Sequence, residues 1–230
     1  MPVFDKNTAG EVAGHKLAAE KHAPDKLFLA SSNCGKLREY RSLAETFSSP
    51  RRIALELLPE IDRLPAFAEN APTFAENAAG KALHYSRFAE GLVFADDSGL
   101  VVPALGKAPG VHSARYAGEN ASDADRVRKL LEELREKKGA ARQGYFVCVI
   151  ALARRGKILG VISDRAGGTI LDAPRGEYGF GYDPVFFFPM LGKTFAEQSL
   201  SEKNQHSHRG KAFRKLCDFL SSLSPETRVI

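Results

Sequence analysis

KLFLASSNCGKLREYRSLAETF, residues 26–47, carries the reading of the fold. Lys26–Ala30 is a short apolar run of strand length. The small polar segment Ser31–Lys36 then turns it into a helical pattern, with Leu37, Tyr40, Ala44 and Phe47 on one face. A strand feeding a helix through a tight loop is the repeating unit of α/β proteins. Working outward, Arg51–Pro72 is irregular and punctuated by proline. Thr73–Ala89 reads as a helix with Phe74, Ala78, Ala82, Tyr85 and Ala89 aligned, and Leu92–Ala95 as a strand that ends at Asp96-Asp97. A glycine- and proline-containing loop follows, from Gly99 to Gly118. Ser122–Lys138 repeats the helical stripe at Val127, Leu130, Leu131 and Leu134; Ser122 and Asp125 form a capping-box pattern and Gly139 is the stop. Gly144–Ala153 and Lys157–Ser163 flank Arg154-Arg155-Gly156 as a hairpin, Val185–Phe188 is a strand closed by Pro189, and Ala212, Leu216, Phe219, Leu220 and Leu223 share one face of a last helix. Helices and strands interleave while the hairpin is antiparallel, so the expected class is α/β with a mixed central sheet and flanking helices.

A chain of 230 residues has ample length for a core, and residues 26–230 are expected to form one domain. Residues 1–25 mix both charges with small residues and lack the apolar segment of a secretory signal; they are expected to be a disordered extension. No apolar run reaches the roughly 20 residues needed to span a bilayer. Cys34, Cys148 and Cys217 form no CxxC pair and are odd in number, which argues against a disulfide framework or zinc site and for the cytoplasm. The formal net charge of +5 favours anionic partners, but Lys and Arg are scattered and the aromatics lie in apolar runs. No stable nucleic-acid partner is expected, and a basic nucleic-acid-binding module is the weaker alternative.

Four segments carry chemistry. Ser31, Ser32, Asn33, Cys34, Gly35 and Lys36 join a strand to a helix, a geometry that holds phosphate on amides and adds a lysine; it is also that of an ordinary capped turn. Asp96 and Asp97 suit Mg²⁺, which takes one or two carboxylates plus waters and phosphate oxygens, or they cap a turn. Gly176–Pro184, GEYGFGYDP, lets backbone approach a flat ligand while a ring stacks on it, or is a structural glycine loop. Lys203, His208, Arg209 and Lys211 place cations before the last helix, against the dipole preference, as an anion or carbonyl-rich ligand requires; a solvated basic face is the other reading.

In this order, LASSNCGKLREY, TFAENAAGKA, ADDSGLVVPALGKAPGVHSARYAG, GFGYDPVFFFP and GKTFAEQSLSEKNQHSHRGKAFRKL resemble the inosine triphosphate pyrophosphatase family, over roughly residues 26–220. The resemblance implies a two-lobed α/β fold with the active site in the cleft, commonly as a homodimer. It implies Mg²⁺-dependent hydrolysis of ITP, dITP and XTP to the monophosphate and pyrophosphate. By position it makes Asp97 the general base and a metal ligand, and Glu69 the second ligand, with Glu76 as the other candidate. Ser31–Lys36 would hold the triphosphate and Ser98 would touch substrate, while Phe180, Gly181, Tyr182, Asp183, Lys203, His208 and Arg209 would surround the base and its phosphates. Ser32 stands where the family pattern has Gly, so a backbone requiring positive φ would be strained there. Discrimination is expected at the 6-position, where Lys203 or the amides of residues 180–183 would pair with a carbonyl and mismatch an amino group. A pyrophosphatase for other modified nucleotides is the rival within the enzymes.

Overall fold

The computed structural model describes residues 25–47 and 53–224. Its sheet has seven strands: β1 (Asp25–Leu29), β2 (Ile53–Leu57), β3 (Leu92–Val101), β4 (Gln143–Arg154), β5 (Lys157–Ile170), β6 (Phe186–Phe188) and β7 (Lys193–Thr194). Their spatial order is β2-β1-β3-β4-β5-β6-β7, with β1 parallel to β2 and β3 and every later pair antiparallel. The helices are α1 (Cys34–Phe47), α2 (Phe74–Tyr85), α3 (Asp123–Glu133), α4 (Leu200–His206) and α5 (His208–Ser222). The mixed sheet and the order of elements agree with the sequence reading. The expected extension lies outside the described residues except for Asp25, where β1 begins.

The helix expected over Thr73–Ala89 stops at Tyr85, and five further differences shape the scaffold and the site. The segment read as irregular contains β2, which pairs with β1 at the sheet edge. β5 continues to Ile170 because β4 is long, and its backbone groups find partners as far as Thr169. α3 ends at Glu133, well before Gly139, because the buried Arg142 takes the carbonyls that would continue it: Leu134 at 2.8 Å and Lys137 at 3.3 Å. The cations expected before the last helix are divided, Lys203 on α4 and His208, Arg209 and Lys211 inside the first turn of α5.

The fifth difference positions the site. β3 does not stop at Ala95; it runs on through Asp96, Asp97 and Ser98 to Val101, paired throughout with β4. Gly99 is required within it, because a Cβ there would lie 2.3 Å from the Ser113 hydroxyl and 2.6 Å from the Gly110 carbonyl. Ser113 in turn accepts from the Leu100 amide at 2.9 Å, which fastens the 3₁₀ turn Gly110–Arg115 against the strand.

Packing divides along β3. Leu92 and Phe94 join α1 and α5 in one cluster, with Tyr40, Phe213 and Leu216. Val93 and Ala95 join α2 on the other face, with Ala78 and Ala82. Leu100 belongs to a third cluster farther along the sheet, with Leu130, Phe186 and Phe195. Asp96–Ser98 therefore occupy the waist where one body of apolar packing gives way to the next.

Candidate active site

A cavity of about 720 Å³ opens at this waist. It is lined by Ser31–Lys36, Glu69, Lys81, Asp97, Ser98, Arg115, Asp123, Phe180–Asp183, Lys203, His208 and Arg209, among others. The fourteen binding positions, with Asp97 and Glu69, thus border one space, whereas Asp96 and Lys211 do not border it. Nor does Glu76; it caps its own helix with Thr73, whose hydroxyl donates to it at 2.7 Å.

The Ser31–Lys36 loop is held by its own side chains. Asn33 is the N-cap of α1 and accepts from the Lys36 amide at 2.9 Å, while Ser31 accepts from the Asn33 amide at 3.2 Å. The amides of Cys34 and Gly35, at the first two positions of α1, have no intrahelical acceptor and remain at the cavity wall. Ser32 does not adopt positive φ, so its replacement of Gly costs no left-handed strain. Gly35 meets the opposite wall: a Cβ there would stand 2.7 Å from the Phe180 ring.

The two adjacent acids part company. Side chains alternate along a strand, so Asp96 faces α1 and α5 while Asp97 faces α2 and the cavity. Asp96 is fully buried and ion-paired with Lys36 at 3.0 Å and Arg209 at 3.8 Å. Burial pulls its pKa upward, but these cations overcome burial and hold it below the ordinary carboxylate value.

Asp97 has the opposite balance. Asn77 donates to its Oδ2 and the Ser98 amide to its Oδ1, each at 2.9 Å. Burial and the nearby charge of Glu69 outweigh Lys36, Asn77 and Lys81, and its pKa rises to about 6. Glu69 is held by Lys81 at 2.5 Å, and its carbonyl accepts from Arg115 at 2.9 Å. Among the described residues no group of three or more His, Cys, Asp and Glu gathers for a metal. Asp97 and Glu69, two of the carboxylates that border the cavity, fit a cation that keeps waters and substrate oxygens in its shell, as Mg²⁺ does, rather than zinc or calcium in an all-protein cage.

The other wall is a buried charge network. Glu39, on α1, binds Lys203 at 2.6 Å and also binds Arg209, and its pKa is lowered because the two cations outweigh burial. Lys203 also pairs with Asp183, whose Oδ2 accepts from the Phe180 amide at 2.9 Å. The ammonium of Lys203 lies 5.0 Å and the guanidinium of Arg209 5.6 Å from the Phe180 ring centroid. His208 stacks on Phe146, and burial with its cationic neighbours keeps it neutral at physiological pH.

This geometry narrows the expected base contacts. The amides of Phe180, Gly181 and Asp183 already donate to Asp183, Asp123 and the Phe180 carbonyl, and the Tyr182 hydroxyl donates to Ser113. Lys203 has three donors and two carboxylate partners, which leaves one N–H for a ligand.

A sequence model of the Ham1 family matches residues 27–219. The chain belongs to the Ham1 family. It is 48% identical over 190 residues to the dITP/XTP pyrophosphatase of Geobacillus kaustophilus, covering 83% of this chain and 91% of that protein. A Ham1 protein structure from Coxiella burnetii superposes with a TM-score of 0.76 at 40% identity, covering 86% of this chain and 99% of the other. The Staphylococcus aureus Ham1 protein gives 0.73 at 37%, with coverages of 85% and 98%.

Among the residues of this Ham1 site that escaped the reading of the sequence are Glu39, Asn77, Lys81, Arg115 and Asp123. Asn77 and Lys81 carried a signal, being four residues apart and so on one face of α2 beside its apolar stripe. Glu39 carried one too, three residues after Lys36 and next to the core residue Tyr40.

Proposed function

We propose that this Ham1 chain hydrolyses dITP, ITP and XTP to the nucleoside monophosphate and pyrophosphate, using Mg²⁺. The observation that carries the reading is one cavity with a cationic phosphate loop on one wall, two carboxylates on a second and an aromatic, cation-backed base wall on a third. The relatives named dITP/XTP pyrophosphatase support the same substrate class.

The triphosphate lies along α1, where the Cys34 and Gly35 amides, the positive end of the helix and Lys36 offset its negative charge. Mg²⁺, held on Asp97 and Glu69, supplies neutralisation of charge on the phosphates. Asp97 accepts the proton of the attacking water on its carboxylate; its pKa of about 6 belongs to the metal-free site, and a cation beside it would lower that value and keep the carboxylate ionised, as a base must be. The water oxygen bonds to the α-phosphorus, the bond from that phosphorus to the bridging oxygen breaks, and pyrophosphate departs toward Lys36. Phe180 offers its ring to the purine and Lys203 its remaining N–H to a 6-carbonyl. An adenine amino group at that position leaves donor facing donor, a mismatch that discriminates more strongly than size. We further assign the chain to the cytoplasm, as a homodimer.

Pyrophosphate release from ITP, dITP, XTP, GTP and ATP, with modified pyrimidine triphosphates in parallel, tests the substrate class. A preference for ITP, dITP and XTP that vanishes on chelation and returns with Mg²⁺ is expected. Equal rates on GTP and ATP refute it, and a preference for modified pyrimidines selects the rival enzyme.

A further inference from the structure

Asp96 is adjacent in sequence to the proposed base yet lies behind the cavity wall, fully buried and outside the lining. One of its oxygens, Oδ2, faces two cations from different helices: Lys36 of α1 at 3.0 Å and Arg209 of α5 at 3.8 Å. The Lys36 ammonium also donates to the Asp96 carbonyl at 3.4 Å. Both cations line the cavity, Lys36 in the Ser31–Lys36 loop and Arg209 beside Phe180 and the Ser98 hydroxyl, to which it donates at 2.8 Å. The other carboxylate oxygen, Oδ1, is buried without a hydrogen-bond partner.

Stability alone does not account for this arrangement. A buried ion pair of matching volume is commonly no more stabilising than apolar packing, and an unpartnered buried oxygen is a further cost. What the arrangement does provide is one rigid anchor, on β3, that draws two cavity-lining cations from different helices onto the same oxygen.

We infer that Asp96 is a positioning residue that ties Lys36 of the Ser31–Lys36 loop to Arg209 beside Phe180, so that the two cavity walls these cations line are registered against one strand. The inference rests on the triphosphate reading above. With Asp96 neutral, Lys36 loses its fixed counter-charge and Arg209 is held only by Glu39 and Ser98. Affinity for phosphates and selectivity for the base then weaken together, although Asp96 touches neither.

The test is Asp96→Asn, nearly isosteric, read by calorimetric binding of tripolyphosphate and by the ITP-over-GTP ratio of kcat/KM. Tripolyphosphate affinity is expected to fall about tenfold and the base preference about fivefold, with a rise in KM for ITP. Lys36→Met weakens tripolyphosphate binding, and adding Asp96→Asn to it weakens that binding no further. A lower melting temperature with unchanged tripolyphosphate affinity and unchanged base preference marks a purely structural residue and overturns the inference, as does full additivity with Lys36→Met. If the Asn variant is not recovered folded, Asp96→Glu is read instead; it keeps the charge but displaces it, so both quantities are expected to move about threefold or more together, and constancy of both overturns the inference. Failure of the wild-type protein to hydrolyse ITP refutes the functional reading, whereas tripolyphosphate binding still tests Asp96.

Discussion

At the scale of the residue, Asp96 and Asp97 show how a strand gives two like charges different fates. Their side chains leave opposite faces of β3, so each answers to its own surroundings. Asp97, among carbons and facing Glu69, is raised from its ordinary 3.8 to about 6. A carboxyl raised on folding binds its proton more tightly in the native state, so native stability falls as pH climbs between those two values. The loss is absent below about pH 4 and complete above about pH 6, where it amounts to about 3 kcal/mol. Asp97→Asn removes that charge. Without metal, the variant is expected to be more stable than wild type by about 1–3 kcal/mol at pH 8, since the amide recovers only part of the original hydrogen bonding, and equal to it near pH 4. Urea denaturation in chelator at the two pH values checks this. Turnover in Mg²⁺ falls by about 10²–10⁴-fold with ITP binding retained; near-normal turnover refutes the role of base.

At the scale of the element, α3 and the turn behind it depend on a single buried cation. Arg142 donates to Ile170 and Leu171 at 2.7 Å and to Leu134 at 2.8 Å, joining the end of α3 to the end of β5. It lies outside the cavity lining. Arg142→Ala is therefore expected to cost about 3 kcal/mol in urea denaturation while leaving kcat/KM of the folded enzyme unchanged. Arg142→Lys recovers only part of that loss, because an ammonium cannot reproduce the planar fork. Elements with apolar stripes and local caps were legible in the sequence: the Ser122–Asp125 capping box forms as expected, and the hairpin is where the alternation placed it. What escaped depended on partners distant in the chain. Two acids after an apolar run read as the end of a strand, because nothing nearby in sequence announces that Lys36 and Arg209 will meet Asp96 in the core. The short edge strands β2 and β7 exist through pairing, not through pattern. The quoted motifs made the loop, the acid Asp97 and the cations legible, but Asn77, Lys81, Arg115 and Glu39 stood unassigned within the same stretches, since the role of each depends on a partner distant in the chain.

At the scale of the molecule, the site spans the division between packing clusters. Its phosphate wall belongs to β1 and α1, its carboxylates to β3 and the segment before α2, and its base wall to the 176–183 loop, α4 and α5. The walls touch directly at Gly35 and Phe180, and the buried network of Asp96, Arg209, Glu39, Lys203 and Asp183 runs beneath them. Three cations, Lys36, Lys203 and Arg209, pair with three buried carboxylates, Asp96, Glu39 and Asp183, and tie the walls together through side chains of the protein itself. Chelation is thus expected to abolish ITP turnover while shifting the melting temperature by less than about 3 °C, since a metal bound weakly at two carboxylates contributes about 1 kcal/mol or less by mass action. A ligand that fills all three walls acts differently, because unfolding must release it. A non-hydrolysable ITP analogue with Mg²⁺, at one hundred times its dissociation constant, adds about 2.7 kcal/mol, or roughly 5–10 °C for a domain of this size. Inosine or tripolyphosphate at the same concentration occupies one wall each and should shift the transition by far less than the analogue, even when both are present unlinked. Differential scanning calorimetry separates the cases: an equal shift from the unlinked pair shows that the walls bind their ligands independently, and a large destabilisation by chelator alone shows that the metal, not the ion-pair network, holds the waist together.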